Sequence, residues 1–371
     1  MPAPRIEAAC PTEPAAEVAA QRRGAPVRAE VDRRPSLAEV AGEAGVSVST
    51  VSKVVNGAPD VAPETRVRVE GILRSKRYLS PKQRARQDRA TIVLLLASSS
   101  MSSPHAVDIL RGTIRAAHAS EVELVLLDLP EENPDARWFE RIKRNGPTAV
   151  IAMKSRLGVE DRERLAQQGI PLVEVDSYRV PDSETYSVGA TNFAGGLAAT
   201  QHLLDLGHRR IGFLGGVADT QASLARKHGY LAGLTAAGIA AGADVIEQGD
   251  FTYESGLEAA LELLGHDERP TALFAASDAQ AAGVLEAARL LGLAVPRDLS
   301  VIGFDDQLVA RMTAPRLTTV RQPSEEMGAY AVSIAHQLLL GNPPPVVHTD
   351  LATTLVRRDS TGPINNPDNS D

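Results

Sequence analysis

From Thr91 onward the sequence repeats one pattern: a short apolar run, then a longer stretch with helical spacing. The runs are Thr91–Ala97, Val122–Asp128, Thr148–Ala152, Leu172–Asp176, Ile211–Gly215, Thr271–Ala276 and Ser300–Phe304. Runs of this length that are apolar throughout read as strands buried in a parallel sheet. Most are separated by a stretch that can form an amphipathic helix, among them Val107–Ala117, Gly195–Leu206 and Ala281–Leu291. That alternation predicts right-handed βαβ winding. There are too many strands for one comfortable sheet, so the expected fold class is α/β, with two doubly wound parallel-sheet lobes. In such sheets ligands bind beyond the carboxyl ends of the strands, which makes the polar residues just after each strand the site candidates.

The first ninety residues read differently. Residues 1–34 are rich in Pro, Ala, Glu and Arg without a clean apolar period, and they are expected to form a flexible leader. Ser36-Leu37-Ala38-Glu39 has the form of a capping box, so a helix starts there, with Leu37, Val40, Ala41 and Ala44 on its apolar face. Gly45 and Val46 interrupt it before a fresh N-cap at Ser47. A second short helix then runs to Val55 and stops at Asn56-Gly57. Pro63 opens a third through about Arg77, with Val67, Ile72 and Leu73 as its expected apolar anchors. Three short helices over residues 35–79 form a small headpiece, followed by a linker over 80–90, a body over 91–358 and a flexible tail over 359–371.

Charge separates these parts. The chain has 371 residues and a formal net charge of −8, yet Arg33–Ala90 holds 12 Lys/Arg against 6 Asp/Glu. A basic headpiece on an acidic body grips phosphate locally while the body is repelled from nucleic acid. A solvated basic linker would look the same on charge alone. The single cysteine, Cys10, excludes an internal disulfide framework and a cysteine-rich zinc site. No run approaches the roughly 18 apolar residues of a membrane span, and the first residues lack the apolar core of a signal peptide. A cytoplasmic protein without metal or cofactor is expected.

The stretch Ala41–Asn56 reads A-x-x-A-G-V-S-x-x-T-V-S-x-V-x-N, and it is followed by V-x-x-x-T-R at Val61–Arg66 and by Tyr78. It closely resembles the helix-turn-helix of the lactose-repressor (LacI/GalR) family of bacterial regulators. The resemblance implies that Val48, Ser49 and Lys53 read bases in a major groove, while Ser47, Thr50, Ser52 and Asn56 contact phosphates or fix the turn. Lys53 would donate to guanine O6 or N7, and Val48 would touch a thymine methyl. Beyond Tyr78 the sequence departs from the family. Its linker, Leu79–Arg89, is shorter and carries no leucine at the position that wedges into the minor groove, so support for leucine intercalation is lost. Lys82, Arg84, Arg86 and Arg89 are left to track phosphates there.

The resemblance continues through His202–Ile211, which matches H-L-x-x-L-G-H-x-x-I, and Val301–Asp306, which matches V-x-G-[FY]-D-D; Leu317–Val320 supplies a returning crossover. It implies an effector domain similar to periplasmic sugar-binding proteins. Ligand contacts are placed by it at Asp176, Arg226, Phe251, Ser277 and Asp305, with Ser103 at the edge of the cleft. Carboxylates and a guanidinium bond vicinal hydroxyls, and an aromatic ring stacks on a pyranose face. Phe251 reads as well as plain core, Asp278 is expected to cap the following helix, and His208 to cap carbonyls at a helix end. No nucleophile, base and oxyanion donor recur at motif spacing, which argues against an enzyme. A sugar-transport protein would share the body but not the headpiece. The implied partners are double-stranded operator DNA, a mono- or oligosaccharide effector and a second copy of the chain. Whether that effector relieves or strengthens repression is written in no residue.

Overall fold

The structure, a computed structural model, describes residues 36–56, 58, 60–76, 78, 90–129, 136–144, 148–240, 242, 246–247 and 249–364. The chain divides into two units, Met1–Lys82 and Gln83–Asp371.

The first unit holds helices α1 (Leu37–Ala44), α2 (Val48–Val55) and α3 (Pro63–Ser75). The expected capping box is present: Ser36 Oγ accepts from the Glu39 amide at 3.2 Å and Glu39 Oε2 accepts from the Ser36 amide at 2.8 Å. Gly45 closes α1 in the left-handed region at φ 63°, where a Cβ would be strained, and this lets the chain turn at once into α2. Val40, Ala41, Ala44, Val51, Val54, Val61 and Val69 form the headpiece core. The inward anchor of α3 is therefore Val69, which is fully buried, and not the expected Val67, which is 70% exposed. A two-residue shift turns a helical side chain by about 200°, so the two valines cannot share a face. Lys76 Nζ reaches Glu43 Oε2 at 2.6 Å and ties α3 to α1.

In the second unit the strands form two six-stranded sheets. The first contains β1 (Thr91–Leu96), β2 (Glu123–Asp128), β3 (Thr148–Met153), β4 (Leu172–Val175), β5 (Tyr186–Ala190) and β11 (His348–Leu351), in spatial order β11-β5-β4-β3-β1-β2. The second contains β6 (Ile211–Leu214), β7 (Ile246–Glu247), β8 (Ala272–Ala275), β9 (Ser300–Asp305), β10 (Thr318–Arg321) and β12 (Thr354–Val356), in order β12-β10-β9-β8-β6-β7. Every pairing is parallel except β10 with β12. β1, β3, β6 and β8 are buried along their whole length, as their apolar runs require. β2 is not: it lies at the sheet edge and most of its residues are at least partly exposed. The short strands β5, β7, β10, β11 and β12 were not foreseen as strands, although Leu317–Val320 was expected as a crossover.

Helices α4 (Pro104–Ala119), α5 (Ala136–Lys143), α6 (Val159–Gln167) and α12 (Ser324–Leu339) belong to the first lobe. Helices α7 (Asn192–Asp205), α8 (Gln221–Ala236), α9 (Tyr253–Leu264), α10 (Asp278–Leu290) and α11 (Leu308–Met312) belong to the second. Three helix pairs cross through reciprocal glycines. A Cβ on Gly112 or Gly328 would strike the backbone oxygen of Glu325 or Ile109 (α4 with α12); one on Gly196 or Gly229 that of Arg226 or Phe193 (α7 with α8); one on Gly256 or Gly283 that of Gln280 or Tyr253 (α9 with α10). The missing side chains let paired helices approach closely enough to cover their sheets.

Among the described residues the chain passes between lobes three times: at Thr191 between β5 and α7, at Gln322-Pro323 between β10 and α12, and at Ala352-Thr353 between β11 and β12. The first and third crossings are latched together. Thr353 N donates to Thr191 Oγ1 at 2.9 Å, and the Thr353 hydroxyl donates to Thr191 O at 3.2 Å. Residues 359–364 are not the flexible segment expected from the sequence. Ser360 is fully buried, its Oγ accepting from Thr318 N and donating to Val301 O, and Ile364 N bonds Leu206 O.

Gly229→Ala places a methyl 2.2 Å from Phe193 O and 2.7 Å from Leu197 N. The helices must part to admit it, at a cost of about 1–3 kcal/mol. Calorimetry should show a lower Tm for the body; an unchanged Tm would mean that the close crossing is dispensable.

Candidate functional site

In the headpiece, Ser47 caps α2. Its Oγ accepts from Thr50 N at 3.2 Å and lies 2.8 Å from both Ser49 Oγ and Thr50 Oγ1. Asn56 closes the helix by donating to Ser52 O at 2.9 Å. Both residues thus fix the turn, one of the two roles expected of them. Val51 and Val54 face the core, which leaves Val48 (47% exposed), Ser49 and Lys53 on the outer side. Lys53 is not free: its ammonium pairs with Asp60, and that ion pair, chiefly through its hydrogen bond, holds the exposed Asp60 carboxyl below its usual range. Lys82, Arg84, Arg86 and Arg89 lie outside the described residues.

In the body, a cleft of about 530 Å³ opens between the lobes, within the usual range for small-ligand sites of roughly 300–1,000 Å³. It brings together all six side chains singled out from the sequence: Ser103, Asp176, Arg226, Phe251, Ser277 and Asp305. Asp305 ends β9, Ser103, Asp176, Phe251 and Ser277 follow the carboxyl ends of other strands, and Arg226 comes from α8. A hollow of about 570 Å³ lies on the flank of the first lobe near α6. Its arginine, Arg162, is already committed to Glu174 and Asp182, and the strand ends that line it, at Leu172 and Tyr186, are amino ends and not carboxyl ends.

Backbone conformation marks the same cleft. Among the described residues, six non-glycine residues have positive φ, and four of them, Lys154 (48°), Asp176 (51°), Phe251 (72°) and Asp305 (114°), line it. Such angles cost free energy, in strained cases about 1–3 kcal/mol, and persist where the surroundings over-determine them. Here each turns a side chain out of the end of a strand. Phe251 fits because Gly216 has no Cβ; one placed there would lie 2.0 Å from the ring.

Arg226 is the centre of the second lobe's wall and is only 4% exposed. Its Nε donates to Asn192 Oδ1 at 2.9 Å, its Nη1 donates to Ala276 O and lies 3.5 Å from Asp305 Oδ1, and its guanidinium stacks 3.8 Å from the Phe304 ring centre. Nη2 has no hydrogen-bond partner among the described residues. Burial pulls the Arg226 pKa down, while Asp305, Asp176 and Asp278 work against that pull. Across the cleft, Asp176 accepts from His105 Nε2 at 3.2 Å and lies 3.3 Å from Lys154 Nζ. Burial alone would raise its pKa; Lys154, His105 and Arg226 outweigh burial and hold the carboxyl well below the usual range, so it is ionised. The lobes meet at the rim, where Gln221 N donates to Tyr178 O at 2.9 Å.

Two expected roles need correction. Ser277, not Asp278, caps α10: its Oγ accepts from Gln280 N at 3.1 Å and donates to Phe251 O at 2.9 Å. Lining the cleft with its hydroxyl so engaged, Ser277 fixes Phe251 as much as it faces a ligand. Asp278 is buried beneath the cleft, accepting from Gln307 N at 2.7 Å and meeting Thr319 Oγ1 at 2.5 Å. His208 caps the end of α7 only through its backbone amide, which donates to Leu203 O at 3.1 Å; its ring instead bonds Thr271 Oγ1, Ser300 Oγ and Gly362 O, and so ties the end of the described chain to the second sheet. Sequence reasoning missed Lys154, His105, Tyr178, Asp250 and Gln307 on the cleft wall. For Lys154 a signal existed, because it lies two residues past the apolar run Thr148–Ala152.

The two units therefore define a helix-turn-helix headpiece carried on a two-lobed, ligand-binding body. Residues 36–80 match the model of bacterial regulatory proteins of the lacI family, and residues 200–361 that of the periplasmic binding protein-like domain. The HTH-type transcriptional regulator CelR of Thermobifida fusca is 32% identical over 336 residues, covering 88% of this chain and 98% of that protein. Catabolite control protein A of Priestia megaterium is 32% identical over 302 residues, covering 81% and 91%. Among solved structures, a transcriptional regulator CelR–cellobiose complex is similar at TM-score 0.65 and 31% identity, covering 88% of this chain and all (100%) of that one. The lac repressor dimer bound to operator and an anti-inducer is similar at TM-score 0.65 and 25% identity, covering 89% and 100%. The chain belongs to the lacI family of bacterial regulatory proteins.

Asp278 supplies a pH test. Burial first, then the neighbouring Asp305 charge, raises its pKa well above 3.8. The folded state thus holds this proton more tightly than the unfolded chain, and stability falls as pH rises from the unfolded value through the folded one. Asp278→Asn removes that loss and can still accept from Gln307 N. Its Tm should exceed the wild-type value at pH 7, with the gap closing as pH approaches 4; a gap independent of pH would refute the assignment.

Proposed function

We propose that this protein is a sequence-specific DNA-binding repressor, acting in the cytoplasm as a homodimer, whose affinity for operator is set by a small sugar held between the two lobes. The observation that carries the ligand class is the arrangement of fixed acceptors and donors in one cleft. Asp176 and Asp305 accept, Arg226 Nη2 and Lys154 donate, and Phe251 and Tyr178 offer ring faces. A compact polyhydroxylated molecule satisfies all of these at once, since each hydroxyl both donates and accepts. The similarity to a regulator solved with cellobiose supports the same class. Release of operator by the sugar is the sign we assign.

On the DNA side, Val48, Ser49 and Lys53 read bases from the outer face of α2, while Thr50 and Ser52 face phosphates and Ser47 and Asn56 hold the turn that aims them. Lys82 and Arg84 add phosphate contacts. Before Lys53 can bond a base it must leave Asp60.

Mobility shift of the purified protein on the DNA upstream of its own gene, at stated salt and with a panel of mono- and disaccharides and a purine base, tests this reading. Specific binding released by one sugar is expected. Lys53→Ala should weaken specific binding roughly tenfold or more. Asp60→Asn, which frees Lys53 and removes a nearby negative charge, should strengthen it. Binding that no sugar relieves would overturn the sugar assignment, and release by the purine alone would replace it.

A further inference from the structure

The three crossings between lobes are not equivalent. The first and third are bonded to each other through Thr191 and Thr353. The second, Gln322-Pro323-Ser324, is bonded instead to the cleft. Gln322 Nε2 donates to Asp305 Oδ1 at 2.6 Å, in the second lobe. Ser324 Oγ lies 2.9 Å from His105 Nδ1, and His105 Nε2 donates to Asp176 Oδ2 at 3.2 Å, in the first. One three-residue segment thus holds a cleft carboxylate in each lobe.

These contacts are buried. Gln322 is 4% exposed, Ser324 7% and His105 4%. The Gln322 amide is oriented by its acceptor: Asp305 is an ionisable carboxylate, so the nitrogen must face it. That leaves Gln322 Oε1 buried without a donor among the described residues. A buried unpaired acceptor costs free energy on the scale of a lost hydrogen bond, about 1–3 kcal/mol. A glutamine held there at that cost serves Asp305, and the segment that carries it is one of the three described links between the lobes.

We infer that Gln322 and Ser324 are positioning residues for effector reading: they hold Asp305 directly, and Asp176 through His105, and so tie occupancy of the cleft to the crossing that joins β10 to α12. A ligand that draws on either carboxylate loosens or tightens its bond to the segment, and the lobes respond together. This rests on the proposed ligand reading and adds the route by which occupancy is felt.

The test uses full-length protein and whichever sugar of the panel binds wild type. Gln322→Met keeps length and packing but removes the amide; Ser324→Ala removes the tether to His105 with little structural demand. Two quantities are read for each: the effector Kd by calorimetry, and the fraction of operator released at saturating effector, scaled to that variant's own operator affinity. Both variants should bind the sugar several-fold more weakly and, even at saturation, release at least threefold less operator. A residue that served only stability would not lower the response at saturation. Full release at saturation by both variants would overturn the inference. If wild type binds nothing in the panel, the ligand reading fails separately, and the Tm values of Gln322→Met, Asp305→Asn and the double variant decide this one: additive shifts overturn it, and coupled shifts sustain it.

Discussion

A guanidinium removed from water must have its charge and its hydrogen-bonding directions met by the protein, or the fold loses several kcal/mol. Arg226 imposes that demand on the body of this regulator. Asn192, at the start of α7, takes one nitrogen; the Ala276 carbonyl just after β8 and the Asp305 carboxylate at the end of β9 share another; and Phe304 supplies a ring face. Satisfying one side chain therefore fixes the relative positions of two helices and two strand ends. Gly196 lets α7 lie against the Arg226 backbone, so the helix crossing and the charge network depend on one another. Nη2, without a partner among the described residues, is what Arg226 itself has to offer the proposed ligand.

Around this centre the body separates rigidity from response. Reciprocal glycines lock the helix pairs, and the threonine latch joins two of the three crossings. The carboxylates, by contrast, sit on backbone of positive φ at strand ends, where the geometry is held by side-chain bonds that a ligand can compete for. The acidic cluster of Asp278, Asp305 and Asp306 is kept together by unequal means: Asp306 is neutralised by Arg311, Arg321 and Arg358, Asp305 faces Arg226, and buried Asp278 retains its proton more readily. In the headpiece the Lys53–Asp60 pair occupies the side chain that the proposed reading assigns to DNA.

Much of this was legible in the sequence, for local reasons. Capping residues such as Ser36 and Ser47 act on amides three residues away, so their motif and their geometry coincide. Apolar runs buried on both faces announce central strands, and the strand-end rule then points to Asp176 and Asp305. What was hidden depends on distant partners. Val69 rather than Val67 faces inward because packing against α1 and α2 sets the rotation of α3. β7 and β12 are too short to show a pattern, β11 carries the polar residues His348, Thr349 and Asp350, and β5 is interrupted by a glycine. The helix glycines read as helix breakers until their backbone neighbours are known. Gln322 and His105 belong to no motif; only the fold shows that they reach Asp305 and Asp176.

The central claim is that a ligand at Arg226 controls what the headpiece does on DNA. Fluorescence anisotropy of labelled upstream DNA, titrated with the bound sugar in wild type and in Arg226→Ala, tests it most directly. Wild type should release the DNA as sugar is added, whereas Arg226→Ala should bind the same DNA and keep it at sugar concentrations that empty wild type. Equal release from both proteins would contradict the claim, because the cleft would then not be where the sugar acts.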